Sequence, residues 1–125
     1  MGKFVIKKAA KGFMFNLLAG NNQVIATSEV YSSLASCKNG IDSVKKNAVA
    51  AAIEDQTVEG FKTEKNPKFE IYADKKGEIR FRLKAANGEI IATGEGYKAK
   101  SGCKNGIESI KKNAPEAEID DRSAE

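Results

Sequence analysis

The chain has 125 residues, 41% of them apolar and 30% charged, and its 21 Lys and Arg against 17 Asp and Glu leave a net charge of +4. This composition predicts a single folded domain, because two independent units of about 60 residues would each bury too little apolar surface, and it excludes wholesale disorder. With no histidine in the chain, triads and dyads built on imidazole are excluded, and two cysteines alone predict no zinc site.

The first predicted strand is Lys3-Phe4-Val5-Ile6-Lys7, with Phe4 and Ile6 on one face and Lys3, Val5 and Lys7 on the other. Ala9 to Gly12 supplies a turn. Phe13, Phe15 and Leu17 then alternate along a second strand. Gly20-Asn21-Asn22 marks the next turn, since Gly and Asn tolerate positive φ, and a third strand runs from Gln23 to about Glu29. After Tyr31 the period changes: Leu34, Cys37, Ile41 and Val44 fall at helical spacing, with Ser32 or Ser33 placed to cap the helix. The opposite face of that helix carries Lys38, Asp42 and Lys46, and Asp42 stands in the favourable orientation to pair with Lys46. Ala51 to Asp55 reads as a short fourth strand, and Thr57 to Lys68 as a connector.

The plan then repeats. Cys37-Lys38-Asn39-Gly40-Ile41-Asp42-Ser43-Val44-Lys45-Lys46-Asn47-Ala48 returns as Cys103-Lys104-Asn105-Gly106-Ile107-Glu108-Ser109-Ile110-Lys111-Lys112-Asn113-Ala114, an offset of 66 from 37 to 103. Two copies at that period mean duplication of one supersecondary unit, not a solenoid. Phe69 and Ile71 replace Phe4 and Ile6; Ile79, Phe81 and Leu83 replace Phe13, Phe15 and Leu17; Asn87-Gly88 is a favoured hairpin pair. Pro115 stops the second helix. The predicted organisation is one pseudo-twofold domain spanning 1–125, made of repeats 3–57 and 68–123. Gly40 and Gly106 each cost a helix interior about 1 kcal/mol, so a close backbone approach, helix to sheet or helix to helix, is expected beside them. Asn39 and Asn105 read as local hydrogen-bonding residues.

Two copies of a unit with Phe-x-Ile, an Asn turn, Ile-Ala-Thr, Tyr and then Lys-Asn-Gly-Ile-x-Ser-(Val/Ile)-Lys-Lys-Asn-Ala resemble the YegP-like family of small bacterial proteins. That family is of uncharacterised function, so the resemblance implies a fold alone. The implied fold is α+β, two tandem β-β-β-α-β motifs forming one shared antiparallel sheet with two helices on one face. In it the final short strands, Ala51–Asp55 and Ala117–Asp121, are exchanged between motifs, and the chain is a monomer with internal pseudo-twofold symmetry.

For function the sequence offers three readings, none reaching a reaction or a named ligand. The first is a non-enzymatic binding or structural module acting through its sheet surface, with an unidentified protein partner. Glu70, Tyr72, Arg80, Arg82 and Lys84 share the helix-free face of repeat two, and Val5, Lys7, Met14, Asn16 and Leu18 hold the matching places in repeat one. The second is nucleic-acid binding, with Arg80, Arg82 and Lys84 on phosphates, Tyr72 stacked on a base, and Lys45, Lys46, Lys111 and Lys112 contributing. The third is a thiol-dependent enzyme or redox protein using Cys37 and Cys103, a reading weakened by the lack of any paired base. No cofactor is expected. No apolar run approaches the ~20 residues of a membrane span, no secretory signal is visible at Met1 to Phe4, and Ile6 breaks the myristoylation pattern; the expected location is the cytoplasm.

Overall fold

In the computed structural model, which describes residues 2–124, repeat one supplies β1 (Lys3–Ala9), β2 (Gly12–Leu18), β3 (Val24–Thr27), α1 (Leu34–Ala50) and β4 (Ala52–Asp55). Repeat two supplies β5 (Lys68–Ala73), β6 (Ile79–Lys84), β7 (Ile90–Thr93), α2 (Lys100–Asn113) and β8 (Glu118–Asp121), with a short 3₁₀ turn, Ala114–Glu116, before β8. The eight strands form one sheet in the order β4-β5-β6-β7-β3-β2-β1-β8. Each repeat therefore gives its last strand to the other: β4 pairs with β5, and β8 with β1.

Both exchanged strands run parallel to their partners, whereas every other pairing is antiparallel. The expectation of an antiparallel sheet thus holds for the six central strands and fails at the two edges. The cause is connectivity. A parallel neighbour needs a crossover of about a dozen residues or more; the chain from β4 to β5 runs through residues 56–67, and β8 reaches β1 only after the whole second repeat.

The apolar alternation puts Phe4, Ile6, Phe15 and Leu17 on one face with Phe69, Ile71, Phe81 and Leu83, all without exposed surface. Phe4 meets Phe15 edge to face at 5.5 Å, and Phe69 meets Phe81 likewise at 5.9 Å. Each such side chain stabilises the fold by about 1.5–3 kcal/mol through burial. The helices close that face across the repeat boundary. α1 packs on β2 of its own repeat and on β5, β6 and β7 of the other, and α2 packs on β3 and β6. Ser33 caps α1 by accepting the Ser36 amide at 3.1 Å; Ala99, its counterpart before α2, offers no side-chain cap.

The helix glycines answer to a side chain and not to the backbone approach predicted for them. Tyr31 is fixed by a bridge to Phe13 in β2, with hydrogen bonds of 2.8 and 2.7 Å, and its ring stacks on Phe15 at 6.3 Å. Its phenol then lies against α1 at Gly40. A Cβ on Gly40 would fall 2.6 Å from Tyr31 Cζ and closer still to the hydroxyl, and Tyr97 crowds Gly106 in the same way.

The exchange and the tyrosine contact can each be tested. A fragment of residues 1–57 lacks a partner for β4 and for the β1 edge, so as a monomer it has no helical or strand circular dichroism at high dilution, and gains structure only as it self-associates; a folded monomer by sedimentation would contradict the exchange. Gly40→Ala gains about 1 kcal/mol of helix propensity but overpacks the tyrosine at about 1–3 kcal/mol, so denaturant unfolding shows a net loss, partly recovered in Gly40→Ala with Tyr31→Phe. An increase in stability for the single variant is the contrary result.

Candidate functional site

The sheet face turned away from the helices carries a row of one side chain per strand. In register it reads Asp120, Val5, Asn16 and Thr27 across repeat one, then Thr93, Arg82, Glu70 and Glu54 across repeat two. In the second half the row becomes an ion network. Lys68 Nζ lies 2.7 Å from Glu54 Oε1 and 3.1 Å from Glu70 Oε2, Arg82 Nε donates to Glu70 Oε1 at 2.5 Å, and Lys84 Nζ is 3.4 Å from Glu70 Oε2. Glu54 and Glu70 are only 2% and 3% exposed. Glu54 lies beneath the connector, whose Glu64 N–H donates to Glu54 Oε1 at 2.7 Å, while Gln56 Nε2 donates to Glu54 Oε2 at 2.6 Å.

Burial pushes the Glu54 carboxyl up, but the hydrogen bonds from Gln56, Lys68 and the Glu64 amide outweigh it and hold the group at about 2. Glu70 is likewise lowered, burial being overcome by Arg82 and Lys68. Lys68 is raised, chiefly by its hydrogen bond to Glu54 against the opposing effect of burial. A charge this deeply enclosed is tolerable only when every lone pair and proton is met, and among the described residues no buried side-chain nitrogen or oxygen lacks a partner.

The four residues singled out from the sequence divide. Tyr72, Arg82 and Lys84 gather around Glu70, with the Arg82 guanidinium 4.5 Å from the centre of the Tyr72 ring. Arg80 turns instead to Asp74 in the β5–β6 turn, Nε to Oδ2 at 2.7 Å, which holds Asp74 below the usual carboxylate range. Four cations, Lys68, Arg80, Arg82 and Lys84, thus meet three carboxylates, Glu54, Glu70 and Asp74. Sequence reading missed Glu54 because that residue reaches this face only through the exchanged β4. Repeat one has no such network: Val5, 1% exposed, stands where Glu70 stands, and Asn16, in the place of Arg82, donates to Thr27 Oγ1 at 3.0 Å.

Cys37 and Cys103 are free thiols with no exposed surface. Burial pushes both up, Cys103 to about 11, so neither supplies a thiolate near neutral pH. Among the described residues no group of three or more His, Cys, Asp or Glu is placed to hold a metal, and no helix is long and apolar enough to cross a membrane.

Two other concave features lie between helix and hairpin. One groove runs between α1 (Asn39, Asp42, Ser43, Lys46, Asn47) and the β6–β7 hairpin (Ala85 to Asn87), and a second between α2 (Asn105, Glu108, Ser109, Lys112, Asn113) and the β2–β3 hairpin (Ala19 to Asn21). The ion pair expected between Asp42 and Lys46 does not form, nor does its counterpart between Glu108 and Lys112. All four side chains are exposed, so an isolated pair there gains too little to hold two flexible chains in one geometry.

These features define a strand-exchanged, two-motif α+β protein with one polar sheet face. The model of the family described as Domain of unknown function (DUF1508) matches residues 9–55 and 74–121, one match per repeat. The chain belongs to that family. The UPF0339 protein of Bordetella pertussis is 39% identical over 98% of this chain and 96% of its own, and that of Mannheimia succiniciproducens 42% identical over 97% and 95%. A UPF0339 protein of Treponema denticola is 64% identical over 52 residues, 42% of this chain but 90% of its own length, about the span of one motif. The solution structure of yegP from E. coli, described as a protein of unknown function, superimposes with a TM-score of 0.81 at 30% identity, covering 99% of this chain and 95% of that one. The resemblance to the YegP-like family and the two-motif fold read from the sequence are thereby established, and the family carries no assigned activity.

Glu54 generates a pH signature. Its folded pKa, about 2, lies below the ordinary 4.5, so its stabilising contribution is complete above about pH 4.5 and is lost as pH falls toward 2. Chemical denaturation across that window shows a steeper loss in the wild type than in Glu54→Gln. At neutral pH Glu54→Gln is less stable by about 3 kcal/mol, since it leaves Lys68 buried beside a single carboxylate; parallel pH profiles for the two proteins would contradict this account.

Proposed function

We propose that the protein is a non-enzymatic binding module of the cytoplasm that contacts a protein partner through the helix-free face of its sheet. The observation that carries this reading is the Tyr72–Arg82 pair, a ring and a guanidinium 4.5 Å apart with the guanidinium anchored by buried Glu70. Tyrosine and arginine dominate the energetics of protein contacts, and side chains already ordered lose less entropy when a partner arrives. Along the same face, about 19 Å away across four strand spacings, Met14 and Leu18 add half-buried apolar surface beside Asn16. Lys3 and Lys7 at the rim favour an acidic partner surface.

A polyanion is a poorer occupant. Nucleic-acid affinity comes from cations that displace counterions from phosphates, and the arginines here are already engaged by Asp74 and Glu70. The absence of histidine and the burial of both thiols weigh against catalysis, and two free cysteines suit a reducing compartment.

Affinity capture from a nuclease-treated lysate tests the proposal with three variants. Tyr72→Ala and Leu18→Lys, on the sheet face, are expected to lose a partner that the wild type retains, while Lys46→Gln, on the opposite side, retains it. Capture unaffected by both sheet-face variants, or capture abolished by nuclease alone, overturns the reading.

A further inference from the structure

The two halves have diverged differently on their two sides. On the sheet face Lys3 and Thr27 recur as Lys68 and Thr93, but Val5, Lys7, Met14, Asn16 and Leu18 are replaced by Glu70, Tyr72, Arg80, Arg82 and Lys84. In the grooves Asn39, Ser43, Lys46 and Asn47 recur as Asn105, Ser109, Lys112 and Asn113, and Asp42 keeps its charge as Glu108. Packing explains part of this identity. Asn47 Nδ2 donates to Ser43 O at 2.8 Å and to Ser43 Oγ at 2.9 Å, and Asn113 does the same to Ser109. Packing does not explain Asn39, Asp42 and Lys46, which are exposed and make no side-chain hydrogen bond or ion pair to any described residue.

Each groove is assembled from the helix of one repeat and the hairpin of the other, and both are shallow and open to solvent, with volumes of about 370 and 570 Å³, so that a small polar molecule could lie along them. The chemistry of the walls is dipolar. Lys46 and Asp42 stand one helical turn apart, about 5–6 Å between their Cβ atoms, unpaired and of opposite sign. Below them Asn47, nine-tenths buried, lines the groove; its amide nitrogen is fully used by Ser43, so that Oδ1 is the acceptor its side chain has left for a ligand. A lone anion would meet Asp42, and a lone cation would meet Lys46. A molecule carrying both charges satisfies both.

We propose that the paired grooves are two equivalent sites for a small zwitterion bearing a carboxylate and an ammonium group, of which a free α-amino acid is the simplest. The ligand carboxylate sits against Lys46 or Lys112. Its ammonium group donates to Asp42 or Glu108 and to the carboxamide oxygen of Asn47 or Asn113. Binding is independent of the sheet face.

Titration of the full chain with each of the common amino acids, followed by ¹H–¹⁵N NMR up to about 10 mM so that millimolar binding is covered, tests this. Acetate, methylammonium and glucose serve as the anion-only, cation-only and polyol probes. At least one amino acid is expected to shift the Asn39 and Asn87 resonances together with those of Asn105 and Asn21, saturating at two molecules per chain and leaving Tyr72 unmoved. Lys46→Gln abolishes the response in the first groove and spares the second. The proposal is overturned if no amino acid moves either groove, if a single-charge or polyol probe does so as strongly, or if Lys46→Gln leaves the first groove responding.

Discussion

Everything in this molecule depends on the exchange of the two terminal strands. Apart from the exchanged strands, the repeats meet within the sheet at the β3–β7 seam, where one pair of residues, Thr27 and Thr93, is in register, joined by a Thr93 hydroxyl donating to the Thr27 carbonyl at 3.4 Å. A seam that narrow could not hold two halves together. β4 and β8 instead reach over the full width of the partner repeat, each adding four ladder pairs at the far edge, while α1 and α2 lie over strands of both repeats. The chain entropy of ordering each unit is thus offset by apolar burial that belongs to neither unit alone.

The exchange also determines which charges become buried. Glu54 belongs to repeat one by sequence, yet it is β4 crossing to β5 that sets it beside Lys68 and Glu70, and the connector leading out of β4 then folds back so that Glu64 closes it from above. At the other edge Asp120 occupies the equivalent place, but Val5 faces it where repeat two has Glu70. Asp120 accordingly remains half-open, paired with Arg122 and, at 3.9 Å, with Lys3. One topology therefore yields an enclosed ion network at one edge and a solvated pair at the other: Glu54 is closed by the Glu64 amide and faces Glu70 and Lys68, whereas Asp120 faces Val5.

Most of the fold was legible because the apolar positions repeat with their spacing intact: Phe4-x-Ile6 against Phe69-x-Ile71, and Leu34, Cys37, Ile41 and Val44 at helical intervals. Alternation, however, is blind to strand direction, since a strand has the same inward face whether its neighbour runs with it or against it, and so the parallel edges at Ala52–Asp55 and Glu118–Asp121 did not show. Period two put Glu70 on one face with Arg82 and Lys84, both of which it engages. The carboxylate beneath the connector did not show, because Glu54 comes from another repeat and no local pattern brings it to Lys68. Gly40 was readable as a close approach, not as the work of Tyr31, because the bridge from Tyr31 to Phe13 is a tertiary contact with no periodic signature.

The contrast between the two sides of the molecule arises from the same duplication. A doubled unit begins with twin surfaces, and a position stays alike in both copies only where the demands on it remain alike. Core positions meet that condition through packing; the outer face does not, because the connector closes over Glu54, beside Lys68, at the edge of repeat two. The grooves keep the condition without a packing reason at Asn39, Asp42 and Lys46. Because each groove takes its helix from one repeat and its hairpin from the other, the two remain related by the pseudo-twofold axis even as the sheet face beneath them has become asymmetric. The arrangement leaves two different surfaces on one small scaffold, a symmetric polar side set by the duplicated motif and an asymmetric sheet face set by the exchanged edge.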